Sequence, residues 1–506
     1  MYYPMTTLKY LVQDECRMKV PFNNTYINLP EGFYTKLNPA PVKQPRLIQF
    51  NQKLAEDLGI TECDSDEKLA EYFSGNLMLE GAEPLAMVYA GHQFGGFSQQ
   101  LGDGRAILLG ELMAKDGVRY DVQLKGSGRT PYSRGGDGRS ALGPVLREYI
   151  VSEAMAKLGV PTTRALAAVT TGEEVARMTL VPGGILTRVA KGFVRVGTFE
   201  YFSARRDQKA IKILADYEID RHYPEAKEAE NPYAEFLIQV VDRQARLISQ
   251  WLQLGFIHGV MNTDNMSIVG ETIDYGPCAF MDDFSFNRVY SSIDHQGRYA
   301  YNQQPTIGQW NLVKLAEAIL PLLGETEAAV PIAQDILNNF AVLYKSYWLE
   351  GMRKKIGLSK AMDGDEELVL QLLETMQEGK ADFTLSFLYL SRLNLAPNAE
   401  DSDFNGLFSN HSASATWLKK WRQRLKKETL TNKERQALMA SVNPAYIPRN
   451  HQIEAAIRAA EDQNDFSVFY QLNDVLQNPY KIQEGKEQYL LPPKPEEEVT
   501  QTFCGT

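Results

Sequence analysis

The stretch of sequence that decides the fold is HGVMNTDNMSIVGETIDYGP, residues His258–Pro277. It directly follows a segment whose apolar residues recur at helical spacing from Asn231-Pro232 to Gly255. Asn265 stands seven residues after the leading histidine, and Asp274 begins an Asp-Tyr-Gly triplet nine residues further on. An amide oxygen and a carboxylate on adjacent loops suit Mg²⁺, which prefers oxygen ligands and keeps several waters. The stretch therefore predicts a divalent-metal site directly after a long helix.

Two elements that precede this stretch carry a lysine and a glutamate. The apolar runs 105–114 and 119–125 flank an Asp-Gly turn and predict a β-hairpin whose second strand ends at Lys125. Residues 140–158 predict a helix that carries Glu148. A strand lysine held by a helical carboxylate gives the phosphate chain of a nucleotide a fixed cation. The order of these pieces, with a glycine-rich segment before them, is that of a protein kinase.

We therefore expect an α+β fold of the protein-kinase-like, two-lobed kind, with the nucleotide between a β-rich N-lobe and an enlarged helical C-lobe. The expected divisions are an N-terminal extension packed on the N-lobe (1–80), the N-lobe (81–205), the helical C-lobe (206–483) and a mobile tail (484–506) that carries Cys504. Residues 1–100 are rich in Pro, Asn and Gly and predict loops. The strongest helical patterns after residue 310 cover 312–323, 329–355, 366–376, 413–427 and 453–460.

The kinase pattern is broken at one position. The aspartate that should stand two residues after His258 is replaced by Val260, which can neither accept a proton nor orient a hydroxyl. Asp264, next to the predicted metal ligand, is the nearby carboxylate that could act as the base instead. The usual glycine-rich cover loop is also absent, and its nearest substitute is Gly102-Asp-Gly104-Arg105. A conventional phosphotransfer site is therefore not expected.

The loop Gly126–Ser140 holds five glycines and three arginines, Arg129, Arg134 and Arg139. Glycines let backbone N–H groups converge on an anion, and guanidinium groups bind phosphate in a bidentate manner. A flexible surface connection is the alternative interpretation of such a segment. Its position between the lysine strand and the glutamate helix favours a second polyphosphate site.

The composition and charge of the chain exclude several classes of protein. The 506 residues are 44% hydrophobic and 23% charged, which excludes fibrous and wholly disordered proteins. A net charge of −11 argues against a protein that coats nucleic acid, because such binding needs many cations. The four cysteines form no C-x-x-C pair, no apolar run reaches membrane-spanning length, and the N-terminal sequence matches no signal pattern. We expect a soluble, cytoplasmic protein with neither nucleic-acid nor membrane partners.

Four strings carry a resemblance to a known family: YAGHQFGGFSQQLGDGRA (Tyr89–Ala106), LKGSGRTPYSRGGDGRSAL (Leu124–Leu142), the stretch His258–Pro277, and NPAYIPRN (Asn443–Asn450). Over most of its length the chain resembles the selenoprotein O (YdiU) family of pseudokinase-like protein adenylyltransferases. The family's terminal selenocysteine stands third from the end, where this chain has Cys504. The resemblance identifies the ordinary-cysteine form of the family.

The resemblance implies an activity. Members of the family bind ATP turned end for end, so that AMP is transferred to a Ser, Thr or Tyr side chain of a protein with loss of pyrophosphate. Some bacterial members use UTP with Mn²⁺ and modify Tyr or His. The implied cofactor is therefore Mg²⁺ or Mn²⁺, and the implied partners are ATP or UTP and protein substrates.

The resemblance also implies roles for residues. Asp264 would be the proton acceptor, Asn265 a metal ligand, and Asp274 a ligand to metal and nucleotide. Lys125 would hold phosphate and pair with Glu148. The rest of the nucleotide pocket would be Gly102, Gly104, Arg105, Asp137, Gly138, Arg188 and Arg195. Only the resemblance brings in Arg188 and Arg195.

Two other functions stay open: a phosphotransferase with an unusual base, and a catalytically silent pseudokinase scaffold. Retention of Asn265 and Asp274 argues against the scaffold, which has no need of metal ligands. His258 is expected to be structural, and Asp282 and Asp283 are expected to be turn or cap residues. The basic segment Lys419–Lys427 is interpreted as a solvated helix face over a packed one.

Overall fold

The computed structural model describes residues 18–61 and 64–503. Its strands are β1 (Tyr34–Lys36), β2 (Arg46–Phe50), β3 (Leu85–Met87), β4 (Gly91–Gln93), β5 (Gly96–Ser98), β6 (Ala106–Met113), β7 (Arg119–Lys125), β8 (Ser140–Ala141), β9 (Arg164–Ala176), β10 (Leu180–Ala190), β11 (Phe256–Ile257) and β12 (Ala279–Phe280). The main antiparallel sheet has the order β1-β3-β6-β7-β10-β9-β2, and β8 pairs with β10. Two separate pairs, β4-β5 and β11-β12, complete the strands of the described part.

Helices dominate the chain after the main sheet. They are α1 (Gln52–Leu58), α2 (Asp66–Ser74), α3 (Leu142–Lys157), α4 (Val196–Ala204), α5 (Gln208–His222), α6 (Pro232–Leu254), α7 (Gln304–Leu323), α8 (Thr326–Lys355), α9 (Asp365–Gly379), α10 (Phe383–Leu390), α11 (Glu400–Gly406), α12 (His411–Leu425), α13 (Asn432–Val442), α14 (Asn450–Gln463) and α15 (Ser467–Leu476). The molecule is thus a mixed α and β protein with a sheet-rich first part and a helical second part, as predicted.

The β6-β7 hairpin fixes the end of a strand at the site. Its register pairs Ala106 with Lys125, and Gly117 in the connecting turn has a φ of 77°. Glycine adopts this left-handed conformation without steric cost, which is why the Asp-Gly signal indicated a turn here. The predicted hairpin is confirmed, and Lys125 is the last residue of β7.

Two predicted helices position the remaining parts of the site. Helix α3 packs against β9 and β10 and carries Glu148 on its buried side. In α6 the side chain of Asn231 accepts a hydrogen bond from the backbone N–H of Ala234, and the helix ends at Gly255 with a φ of 70°. An N-cap of this kind satisfies a backbone donor that the first helical turn leaves unpaired. The chain then enters β11 and the loop that begins at His258.

The first hundred residues differ from the expectation of a loop-rich segment. They contain α1 and α2, and β1, β2 and β3 join the main sheet. Both helices are short, with 7 and 9 residues, and end at glycines in the left-handed conformation, Gly59 and Gly75, so their apolar pattern extends over fewer than three turns. Such short periodic segments give a weak signal in the sequence.

The five helices predicted after residue 310 all begin before their predicted starts. Helix α7 begins at Gln304, eight residues before the predicted start, because Pro305 is tolerated in its first turn. Helices α4 and α5 were missing from the prediction. Six of the nine residues of α4 are buried, including Gly197 and Glu200, so it has no polar face to set a period. In α12, Trp417 and Trp421 are buried as predicted. The expected solvated basic face is only partly correct, because Arg422 and Arg424 are buried too and pair with Asp401 and Asp365.

The C-terminal segment contacts the rest of the chain. The side-chain hydroxyl of Thr502 donates to the carbonyl of Pro277 at 2.6 Å, and its backbone N–H donates to the carbonyl of Tyr290 at 2.7 Å. The described part of the expected tail, 484–503, is therefore packed at this point. Mobility of the tail and the domain bounds stay predictions, and Cys504 lies outside the described residues. No helix in the described ranges is both long enough and apolar enough to cross a bilayer.

Candidate active site

A buried ionic centre joins three distant elements. The ammonium nitrogen of Lys125, at the end of β7, lies 2.6 Å from Oε2 of Glu148 on α3. The same nitrogen lies 2.5 Å from Oδ1 of Asp274, in the loop between β11 and β12. Lys125 and Glu148 are 8% and 3% exposed. Buried charges need such partners, because an unpaired charge in the interior is costly. The predicted lysine, glutamate and aspartate therefore meet.

Arg188 adds a second cation to this centre. It stands opposite Gln123 on the neighbouring strand, and its guanidinium donates to the amide oxygen of Gln123 at 2.7 Å. It also lies 3.2 Å from Oε1 of Glu148 and 3.3 Å from Oδ1 of Asp274. Burial raises the pKa of Asp274, but the positive charges of Lys125, Arg188 and Arg195 outweigh burial and hold that pKa well below its ordinary value. Asp274 is therefore a carboxylate.

The loop that carries Asp274 has a strained and braced backbone. Asp274 itself has a φ of 62°, a left-handed conformation that is uncommon for a residue other than glycine. The preceding carbonyl, that of Ile273, is 2.9 Å from Nε2 of the fully buried His258. Burial lowers the pKa of His258, so the ring is neutral and its Nε2–H donates. The histidine thus holds the loop in place, which is the structural role expected for it.

Asp264 and Asn265 form a single turn on the adjacent loop. Oδ2 of Asp264 accepts a hydrogen bond from Nε2 of Gln93 at 3.1 Å, and Oδ1 has no hydrogen-bond partner in the described part of the chain. Burial raises the pKa of Asp264 to about 6, although the Gln93 hydrogen bond and the charge of Arg195 oppose the shift. The amide nitrogen of Asn265 donates to the carbonyl of Val260 at 3.0 Å, which leaves its amide oxygen for another partner.

One cavity of about 470 Å³ brings the predicted residues together. The predicted residues among its lining are Gly102, Gly104, Arg105, Lys125, Asp137, Gly138, Arg188, Arg195, Asp264, Asn265 and Asp274. Glu148 lies behind Lys125 rather than in the lining. The predicted residues on the strands and the predicted residues on the loops after α6 therefore line the same cavity.

The glycine-arginine loop forms one wall of this cavity. A Cβ atom on Gly138 would lie 2.2 Å from the carbonyl of Gly128, and Gly138 has a φ of 69°. Only glycine fits such a close approach of two backbones. Arg134 and Arg139 line the cavity, whereas Arg129 is exposed and lies away from it. The guanidinium of Arg139 donates to the carbonyls of Ala40 and Pro41, and anion binding by this loop stays a prediction.

Sequence reasoning missed residues that hold Arg195. Its guanidinium carbon lies 4.2 Å from the centroid of the Tyr89 ring and its NH2 lies 3.9 Å from Oδ1 of the buried Asp103. That NH2 nitrogen is buried and has no hydrogen-bond partner among the described residues. Both Tyr89 and Asp103 lie in the glycine-rich string 89–106, but in a sequence they indicate only a strand and a turn. Gln93, from the same string, was missed too.

The donor set suits a hard divalent cation. Asn265, which carries an amide oxygen, and Asp274, which carries a carboxylate, line the same cavity on two neighbouring loops. The described residues hold no cluster of three or more His, Cys, Asp or Glu side chains arranged as metal ligands. A Mg²⁺ or Mn²⁺ ion that takes its other ligands from phosphate oxygens and water does not require one. Oδ1 of Asp264, beside these ligands, has no hydrogen-bond partner among the described residues and is left for a group that a substrate would bring.

Comparison with known proteins finds similarity to one family over nearly the whole chain. Residues 16–477 match the family model described as protein adenylyltransferase SelO. The protein nucleotidyltransferase YdiU of Rhizobium etli (strain CFN 42) is 56% identical over 486 residues, which cover 96% of this chain and 97% of that protein. The proteins of the same name from Rhizobium meliloti and Agrobacterium fabrum are 56% and 54% identical over 487 residues, which cover 96% of this chain and 99% of each of them. The chain therefore belongs to the SelO family of protein adenylyltransferases.

Proposed function

We propose that this protein is a metal-dependent protein nucleotidyltransferase. It moves AMP from ATP, or UMP from UTP, onto a Ser, Thr or Tyr hydroxyl or a His side chain of a protein and releases pyrophosphate. Family membership and the relatives' names support nucleotidyl transfer to proteins. The observation that carries the proposal is the approach of Lys125 to Asp274 at 2.5 Å inside one cavity. Lys125, the proposed cation for phosphate, and Asp274, the proposed carboxylate for the metal, thus line the same cavity.

The cations of the cavity would bind the triphosphate. Lys125, Arg188 and Arg195 are held by carboxylates or by an aromatic face, so their positions are set before the nucleotide arrives. Binding sites that are organised in advance avoid the cost of ordering side chains on association. The unpaired NH2 of Arg195 is a donor that a phosphate oxygen would satisfy. Glu148 would keep Lys125 in place while the phosphates compete for it.

Asn265 and Asp274 would hold a Mg²⁺ or Mn²⁺ ion. Oδ1 of Asp274 already accepts from Lys125 and Arg188, so Oδ2 is the oxygen we assign to the metal. When bound, the ion would neutralise phosphate charge and polarise the reacting phosphoryl group. The surrounding cations, against the effect of burial, hold the pKa of Asp274 well below its ordinary value and so keep this ligand ionised at neutral pH.

Asp264 would accept the proton. In the transfer, the acceptor atom, which is a hydroxyl oxygen or a His ring nitrogen, bonds to the α-phosphorus. The bond from that phosphorus to the α–β bridging oxygen breaks, and pyrophosphate leaves. The acceptor's proton passes to Oδ1 of Asp264, which has no other partner in the described structure. A pKa of about 6 makes Asp264 a stronger base than an ordinary aspartate while leaving it mostly ionised at neutral pH.

We further propose a kinase-like, two-lobed arrangement around this cavity. The N-lobe would comprise residues 81–205, with 1–80 packed on it as an extension, and the helical C-lobe would comprise 206–483, followed by the tail 484–506. The antiparallel sheet with α3 against it, and the helical second part that supplies the metal loops, support this division. The nucleotide would then lie between the lobes.

One assay separates this function from its two alternatives. The protein is incubated with Mn²⁺ or Mg²⁺ and with ATP labelled at either the α- or the γ-phosphate, and protein-bound label is counted. Retention of the α-label supports AMP transfer, retention of the γ-label would show a phosphotransferase with an unusual base, and retention of neither would favour a silent scaffold. Asp274→Ala should abolish labelling without unfolding the protein. Wild-type labelling by that variant would remove the assigned metal site.

A further inference from the structure

The β4-β5 hairpin, Gly91–Ser98, lies against the loop that carries Asp264. The backbone N–H of His92 donates to the hydroxyl of Thr263 at 2.7 Å, and the backbone N–H of Phe94 donates to the side-chain oxygen of Asn262 at 3.1 Å. These residues are about 170 positions apart in the chain, so the contacts are purely tertiary. The hairpin is thus fixed to the residues that directly precede the proposed base.

The hairpin turn is held in an unusual conformation by the same loop region. Phe94 and Gly95 have φ values of 50° and 84°, the pair of left-handed residues that a tight two-residue hairpin requires. Phenylalanine rarely adopts this conformation. Its backbone N–H also contacts the hydroxyl of Tyr299 at 3.2 Å, and that hydroxyl donates to Asn262 at 2.6 Å. Strain in the turn is therefore offset by contacts that lock the hairpin onto the loop.

This locked hairpin presents one side chain to Asp264. Nε2 of Gln93 donates to Oδ2 of Asp264 at 3.1 Å, which leaves Oδ1 as the unpaired oxygen. A carboxylate with one oxygen hydrogen-bonded loses freedom of rotation, so the direction of the second oxygen is set as well. Since Asp264 is 7% exposed, few other groups could perform this task.

The backbone of the hairpin approaches the unpaired oxygen closely. A Cβ atom on Gly91 would lie 2.9 Å from Oδ1 of Asp264 and 3.1 Å from its Cβ. Gly91 does not have a positive φ, so its backbone would tolerate alanine and only the missing side chain explains the fit. Gly96, opposite Gln93 in the same hairpin, has no such constraint, since its nearest neighbour would be a carbonyl at 3.5 Å.

From these contacts we propose that Gln93 is a positioning residue for the nucleotidyl transfer. Its amide fixes Oδ2 of Asp264 and thereby aims Oδ1 at the acceptor side chain, while Gly91 leaves the space that Oδ1 needs. The inference rests on the proposed function, because it gives Asp264 the role of proton acceptor. Gln93 itself need not touch the nucleotide or the acceptor.

The test measures kcat and the nucleotide KM of protein labelling for Gln93→Met and for the control Gln100→Met. Methionine keeps the length and most of the volume of glutamine but cannot donate a hydrogen bond. We expect Gln93→Met to lower kcat by at least about tenfold, because misplacing a catalytic group costs up to a hundredfold. The nucleotide KM and the melting temperature should stay near those of the wild type, as should all three quantities in the exposed Gln100→Met. Equal values for the two variants would overturn the proposal.

A second pair of variants and a double mutant exclude a merely structural role. Gly91→Ala should lower kcat, whereas Gly96→Ala in the same hairpin should not. In an Asp264→Asn background, Gln93→Met should cause no further loss, since a positioning residue has nothing left to position. A full additional loss in that background would show an independent role and overturn the inference. If Asp264→Asn alone kept the wild-type kcat, the proposed base and the inference would both be overturned. If Asp264→Asn lost kcat but Gln93→Met kept it, only the inference would be overturned.

Discussion

Glu148→Gln is the sharpest perturbation of the ionic centre, because it removes one charge and keeps the shape of the side chain. In the native protein the carboxylate accepts from Lys125 at 2.6 Å and lies 3.2 Å from Arg188. The variant would leave two buried cations sharing the single carboxylate of Asp274, and it would turn an amide NH₂ toward one of them. Nucleotide binding should suffer because Lys125 would lose the partner that holds it apart from Asp274.

The magnitude follows from burial. Removing one partner of a buried ion pair costs about 3–5 kcal/mol of the free energy of unfolding. Here Asp274 remains 2.5 Å from Lys125 and 3.3 Å from Arg188 and still compensates both cations, so we expect a smaller loss of about 2–3 kcal/mol. The same substitution at Glu317, which is 59% exposed and pairs with Lys314, should cost less than about 1 kcal/mol.

The assay is urea unfolding of both variants and the wild type, together with binding of a non-hydrolysable ATP analogue. We expect Glu148→Gln to lower the unfolding midpoint clearly and to weaken analogue binding by about tenfold or more, which is the effect of one lost charged contact of about 1.4 kcal/mol. Glu317→Gln should match the wild type in both measurements. If Glu148→Gln bound the analogue and unfolded like Glu317→Gln, the ionic centre would have no part in nucleotide binding.

Further predictions concern the cavity wall, the buried acids and the helical region. Gly102→Ala should weaken analogue binding at least tenfold, because the new methyl group would lie 2.5 Å from the Tyr132 ring at a residue whose φ is +80°. The control is Gly32→Ala, whose new methyl group would have no atom within 4 Å. Equal affinities of the two variants for the analogue would contradict the prediction. Burial raises the pKa of Glu218 to about 8, so the native state keeps a proton that the unfolded chain loses near pH 4.5. Glu218 should therefore lower the free energy of unfolding by up to about 1.4 kcal/mol per pH unit as pH rises from about 5 to 8. Glu218→Gln should remove this contribution in urea titrations at several pH values, and profiles of wild type and variant that stay parallel would refute the assignment. Arg449, 1% exposed, pairs with Asp282 and Asp382, so Arg449→Met should cost about 3–5 kcal/mol in the same unfolding assay. Arg458→Met should cost clearly less, because the Arg458 side chain is 48% exposed, although its partner Glu461 is only 6% exposed. Similar losses for both variants would count against the buried pairing of Arg449.

The sequence was most informative where a local rule and a long-range pattern agreed. The end of β7 at Lys125 followed from an Asp-Gly turn between two apolar runs, and the end of α6 followed from Gly255. Helix α3 and its Glu148 followed from apolar spacing between two clear boundary signals. Since the order of these parts matched a known arrangement, the approach of Lys125 to Asp274 could be expected although 149 residues separate them.

Other features depended on tertiary contacts that no local pattern encodes. Helix α4 is buried on nearly every side, so its residues show no polar period. Asp282 was expected to be a turn or cap residue, but it forms a buried ion pair with Arg449, a partner 167 positions away. The contact of Gln93 with Asp264 joins residues 171 positions apart, and Gln93 carries no charge that would have marked it. Arg129 stands in the same loop as Arg134 and Arg139, but in the folded chain it is exposed and does not line the cavity.

The central claim is that Asn265 and Asp274 hold a divalent ion on the triphosphate that Lys125 binds. The most direct test is a crystal structure of the protein with Mn²⁺ and a non-hydrolysable ATP analogue, with anomalous scattering used to locate the manganese. The account predicts an anomalous peak in contact with the amide oxygen of Asn265, a carboxylate oxygen of Asp274 and the phosphates, with the Lys125 ammonium on the same phosphate chain. A manganese peak away from both side chains, or a triphosphate that does not reach Lys125, would contradict it.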